Sequence, residues 1–164
     1  MKKLMLIILL LFVSNTVFAN PMKKTKKLDV SLIEDPSDDQ GRLTVKAQLT
    51  LVRYSEVFLL NYSDVWGTDG ETPDWICSDL TISIGKKNLT VPLSVYCDLS
   101  EVNEISLGKA GDSYVLLVRG GKTATGYVGK IYFDTFVERR EVRLGEFPDQ
   151  VWQINIYNVN EIDD

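Results

Sequence analysis

The chain contains two cysteines, Cys77 and Cys97, and no histidine. Without an imidazole, Ser-His-Asp and Cys-His catalysis, histidine-ligated zinc and the commonest general base at neutral pH are all excluded. Two cysteines in an exported chain read as one disulfide, which leaves no thiolate nucleophile. Gly121-Lys122-Thr123 ends like a phosphate-binding loop, but that motif needs glycine at position 116, where Leu116 stands. No G-x-S-x-G nucleophile elbow occurs. Carboxylates are plentiful, and two of them facing one cleft would support glycosidase-type acid/base work. Asp69, Glu71 and Asp74 offer oxygen ligands, yet their spacing fits no standard calcium loop. The residue types point to no cofactor, no metal and no catalytic group, and so to a protein that binds rather than an enzyme.

Binding chemistry is easier to place. The stretch 61–75 (NYSDVWGTDGETPDW) is the longest turn-rich segment and sets Tyr62, Trp66 and Trp75 among Asp64, Asp69, Glu71 and Asp74. Aromatic anchors with interspersed acids on a long connection suit recognition of a partner. The competing reading is that Trp66 and Trp75 plug one end of the fold. Arg139, Arg140 and Arg143 form a second candidate, able to clamp carboxylates or phosphates. Its competing reading is an edge strand guarded by charge.

The elements that would carry these residues are strands. Leu43, Val45, Ala47, Leu49 and Leu51 alternate with Thr44, Lys46, Gln48 and Thr50, a half-buried strand with one wet face. Leu28–Leu32 reads as a shorter strand before it, and 54–62 as a more deeply buried one after it. Leu80, Ile82, Ile84 and then Leu89, Val91, Leu93, Val95 alternate on either side of Gly85-Lys86-Lys87-Asn88. Folding back about Lys87 sets Cys77 opposite Cys97 and predicts a disulfide-closed hairpin, although Pro92 then falls among the ladder positions. Further strands are expected at 103–107, 113–119, 126–134, 136–144 and 151–159, with Gly120-Gly121 as a tight two-residue turn. With no helical stripe anywhere, the fold class is all-β, a single-domain antiparallel β-sandwich, with an open β-barrel as the alternative.

The ends carry a different message. Lys2 and Lys3, the apolar run 4–13 and Val17-Phe18-Ala19 have the order of a secretory leader cut after Ala19. The apolar run is shorter than the roughly 20 residues of a transmembrane helix. Residues 1–19 are therefore read as a signal peptide, 20–27 as a basic disordered tail and 28–160 as one all-β domain. The expected location is the periplasm or the exterior, with no membrane contact beyond the leader. A formal charge of −5 argues against nucleic acid, which is bound by neutralising phosphates, and suits a basic protein surface.

The run Val142-Arg143-Leu144-Gly145-Glu146-Phe147-Pro148-Asp149-Gln150-Val151-Trp152 resembles small exported proteins of Gram-negative bacteria, some of them periplasmic immunity proteins. The resemblance implies a non-catalytic binder that occludes a toxin, with a basic-surfaced toxin as partner. The alternatives are a structural or accessory envelope protein and a carboxylate-dependent glycan hydrolase.

Overall fold

The computed structural model describes residues 24–34, 42–54, 65–68, 71–122 and 126–157. The leader at 1–19, and all but Tyr54 of the strand expected at 54–62, lie outside the described residues. Two antiparallel sheets form. The first runs in the order β1 (Thr25–Glu34), β2 (Leu43–Arg53), β3 (Trp75–Ile84) and β4 (Lys87–Asn88). The second runs β5 (Val102–Ala110), β6 (Ser113–Gly120), β7 (Tyr127–Phe133), β8 (Val137–Leu144) and β9 (Gln153–Ile156). Each is a meander, so every pairing is between neighbours in sequence. No barrel closes among the described residues, and helix there is limited to 3-10 geometry at Tyr54 and the 3-10 turn Leu93–Val95.

Period-two alternation places the core. On β2, Val45, Ala47, Leu49 and Leu51 are buried while Lys46 is exposed. Tyr114, Leu116 and Val118 on β6 face inward with Tyr127, Ile131 and Phe133 on β7. One apolar cluster unites both sheets. Burying a side chain of this size contributes about 1.5–3 kcal/mol, which makes these alternating positions the main source of stability. β1 begins at Thr25, inside the stretch read as a disordered tail, because its edge meets β5. The Lys26 ammonium donates to the Val102 carbonyl at 3.4 Å. Glu34 pairs with Lys109 at 2.7 Å and accepts from the Tyr114 hydroxyl at 2.9 Å.

The hairpin after β3 differs from the expectation. Its turn is Gly85-Lys86, with Ile84 paired to Lys87 and Ser83 to Asn88. Gly85 has φ +59°, the left-handed first position of a type II′ turn. The return strand stops after two residues. Pro92 has no N–H for a ladder, and the 3-10 turn Leu93–Val95 follows it directly. The chain rejoins β3 only at Leu99, whose carbonyl accepts the Cys77 N–H at 2.8 Å, while Ile76 bridges Ser100. Position 97 therefore does not face position 77. Both thiols are free, and the disulfide-closed hairpin is not formed.

Two further expectations are corrected. The strand read as a guarded edge is β8, which lies between β7 and β9. Gly120-Gly121 is not a two-residue turn, since Gly120 pairs across with Tyr127 and the connection spans 121–126. Gly120 is needed for another reason: a Cβ there would sit 2.6 Å from the Tyr127 ring carbons and 2.5 Å from its hydroxyl. That ring is anchored by its hydroxyl bond to the Ser100 carbonyl at 2.9 Å and cannot swing away. Gly120→Ala should lower unfolding stability by roughly 1–3 kcal/mol through overpacking. Urea denaturation should show a lower midpoint with an unchanged slope.

Candidate functional site

The segment 98–101, which links the two sheets, organises the aromatic residues singled out from sequence. Trp66 donates its backbone N–H to the Asp98 carbonyl at 2.8 Å and forms a parallel bridge with Leu99. Its indole N–H reaches Gln153 at 2.9 Å. Trp75 opens β3, pairs with Arg53 and lies 5.6 Å beneath that guanidinium. Both tryptophans are half-buried and pack against the core. Glu101, with φ +50°, accepts from the Trp75 N–H at 3.2 Å through its carboxylate. Asp74 and Glu71 are exposed, and Glu71 sits 3.8 Å from Lys122. Tyr62, Asp64 and Asp69 lie outside the described residues.

The three arginines are divided between two faces of β8. Arg139 and Arg143 point outward and flank Glu141, with contacts of 3.3 and 3.2 Å. The Arg139 guanidinium also stacks 4.0 Å over Tyr132, and Arg143 donates to the Pro148 carbonyl at 3.0 Å. Arg140 points into the protein, where it is 1 % exposed. Its guanidinium meets Asp98 at 2.8 and 3.0 Å and donates to the Ser94 carbonyl at 3.0 Å. The three do not converge on one ligand. Arg140 instead ties β8 to the segment between the sheets.

The register of β8 with β9 sets which β9 residues share the inner face with Arg140. Arg140 pairs with Asn155, and Val142 with Gln153, so the polar residues of β9 face inward. The alternating Trp152, Ile154 and Ile156 are thereby turned outward, 54 %, 57 % and 71 % exposed. Phe147 and Val151 are exposed in the same corner, and the Phe147 and Trp152 rings lie 6.4 Å apart. Sequence reasoning assigned this alternating apolar set no binding role. The signal available in the sequence was the alternation itself, which separates polar Gln153 and Asn155 from apolar Trp152, Ile154 and Ile156.

Elsewhere, a shallow groove of about 440 Å³ crosses the outer face of the first sheet, lined by Asp29, Ser31, Lys46, Gln48, Thr81 and Ser83. Two of its lining groups already bond one another, Gln48 to Asp29 at 2.7 Å, and Lys27 beside it donates to Gln48 at 3.1 Å. Among the described residues, no group of histidine, cysteine and carboxylate side chains is arranged to hold a metal. Comparison with protein-family models, with curated proteins and with solved structures finds no match to this chain.

The thiols have unequal surroundings. Burial pushes Cys77 far above the usual thiol range, and its Sγ–H points at the Asp79 carbonyl, 3.6 Å away. Burial also raises Cys97, with the Asp98 charge adding to the shift, but Cys97 is only half-buried. A thiolate-specific reagent applied without reductant should find two thiols per denatured chain. In the folded protein Cys97 should react first and Cys77 only on unfolding. An oxidised pair in the denatured count would contradict this arrangement.

Proposed function

We propose that this chain is a non-catalytic binding protein of the bacterial envelope, most specifically an immunity-type protein that occludes a toxin. One observation carries the reading: Phe147, Val151, Trp152, Ile154 and Ile156 are all exposed at one corner of the second sheet. Apolar side chains gathered at one corner, rather than scattered singly, mark an interaction surface. Trp152 is the natural anchor, since tryptophan is enriched among residues whose truncation damages interfaces most. Arg139, Glu141 and Arg143 supply a charged rim beside it. The exposed Glu146 and Asp149, flanking Phe147, suit a partner with a basic surface.

The export expectation is part of the proposal and rests on the order of charge, apolar run and small residues in 1–19. With both thiols free, the cysteines add nothing to it. An accessory envelope-assembly role is the second reading, favoured by β9 having no paired strand on its outer edge among the described residues, which suits association of subunits.

Retention of a protein from envelope extract on immobilised wild-type chain, with about tenfold or greater weakening by Trp152→Ala, is the expected outcome. Circular dichroism should show the variant folded, because Trp152 is more than half exposed. Equal retention by both forms would place the contact elsewhere, and no retained protein would contradict the reading.

A further inference from the structure

We infer that the outer face of the second sheet takes a carboxylate from a protein partner, seated between Lys130 and Arg139 over the Tyr132 ring. The inference rests on reading the adjoining β9 corner as a contact surface, and it names the chemistry of the partner segment that meets it.

The register of the sheet assembles the cluster. Lys130 on β7 lies across from Glu141 on β8, and Tyr132 lies across from Arg139. These residues project to the outer face, because the alternate positions Tyr127, Ile131 and Phe133 are in the core. Val128 pairs with Arg143 in the next row. Lys130, Arg139 and Arg143 therefore surround one carboxylate, with diagonal neighbours on adjacent strands about 7–8 Å apart. Both oxygens of that carboxylate are engaged. Oε1 meets Arg139 Nε at 3.3 Å, and Oε2 meets Arg143 Nη2 at 3.2 Å. Lys130 is left half-buried beside them, and among the described residues no carboxylate pairs with it. Three positive charges against one negative make a basic centre in a chain whose formal charge is −5.

The donors suit a carboxylate. Arg139 reaches Glu141 through Nε alone, and its stack at 4.0 Å on Tyr132 fixes the plane of the guanidinium. A planar carboxylate matches a guanidinium edge held in this way, and the Lys130 ammonium adds a point charge in the neighbouring row. The surroundings suit a protein segment rather than a lipid headgroup. Leu117 flanks Lys130 on β6 and Ile154 flanks Glu141 on β9, so the charges sit between apolar side chains. Trp152 and Ile156 continue that apolar surface. The acidic balance of the whole chain opposes polyanions at longer range. A single Asp or Glu with apolar neighbours meets both the local charge and the surface around it. Glu146 and Asp149, in the turn after β8, call for a cation at the rim, so the partner surface carries both signs.

Heteronuclear NMR of the purified chain, titrated with acetyl-Leu-Glu-Leu-amide and with its neutral counterpart acetyl-Leu-Gln-Leu-amide, tests this. The glutamate peptide should shift the backbone amides of Lys130, Tyr132, Arg139 and Glu141, binding about fivefold more tightly than the glutamine peptide. Lys130→Gln should reduce the glutamate peptide to the affinity of the neutral one. The variant should keep the wild-type circular dichroism spectrum, since Lys130 lies on the outer face and forms no ion pair among the described residues. Equal binding of the two peptides to the wild-type chain, or shifts from neither, would overturn the inference. Tighter binding of inorganic phosphate than of the glutamate peptide would also overturn it, because the site would then favour a phosphoryl group. Trp152-dependent capture of an envelope protein that is indifferent to Lys130→Gln would defeat this inference alone. A carboxylate response with no captured protein would defeat the wider reading alone.

Discussion

A guanidinium buried between two sheets cannot stand alone, and the Arg140–Asp98 pair is the constraint around which this fold is arranged. Removing both charges from water carries a large desolvation penalty that only close geometry and added hydrogen bonds offset. Two contacts to Asp98 and one to the Ser94 carbonyl answer part of that demand, while the buried Arg140 Nε has no hydrogen-bond partner among the described residues. Asp98 and Ser94 belong to the segment crossing from one sheet to the other, and Arg140 belongs to β8. The pair therefore fixes how the first meander is attached to the second. Beside it on the inner face of β9 lie Asn155 and Gln153, the latter bonded to the Trp66 indole, while the apolar half of β9 faces solvent.

The sheet architecture was legible in the sequence because most strands obey simple alternation. β2 does so without a fault, and β1, β6 and β7 follow it closely. Alternation failed where a charge is buried. Arg139, Arg140, Glu141 and Arg143 read as a solvated edge, yet β8 is an inner strand with Arg140 and Val142 both in the interior. The run 151–159 read as a strand with alternating Trp152, Ile154 and Ile156, and nothing in that alternation marked its apolar side as the one facing solvent. Period-two patterning reports which residues share a face and is silent on which face a buried ion pair will claim.

The disulfide expectation failed for a local reason. Counting symmetrically from Lys87 assumed a regular hairpin through position 97. A glycine at 85 that readily adopts positive φ moves the fold-back toward the N-terminus, and Pro92 ends any chance of a continuous ladder. The cross-link is replaced by noncovalent fixation of the crossing segment, through Trp66 on one side and through Ile76 and Cys77 on the other. Trp66 and Trp75, the described candidate tryptophans, both bond to the crossing segment through their backbones, and the exposed apolar surface lies at β9, the last strand of the second sheet.

A double-mutant cycle on Arg140 and Asp98 tests the central claim most directly. Arg140→Met, Asp98→Asn and the double variant would be compared with the wild-type chain by chemical denaturation. Breaking a buried pair on one side strands the other charge, so each single variant should lose about 3–5 kcal/mol and the double variant little more than either, a coupling of roughly 2 kcal/mol or above. Losses that simply add, with coupling near zero, would show that the charge pair does not hold the sheets together.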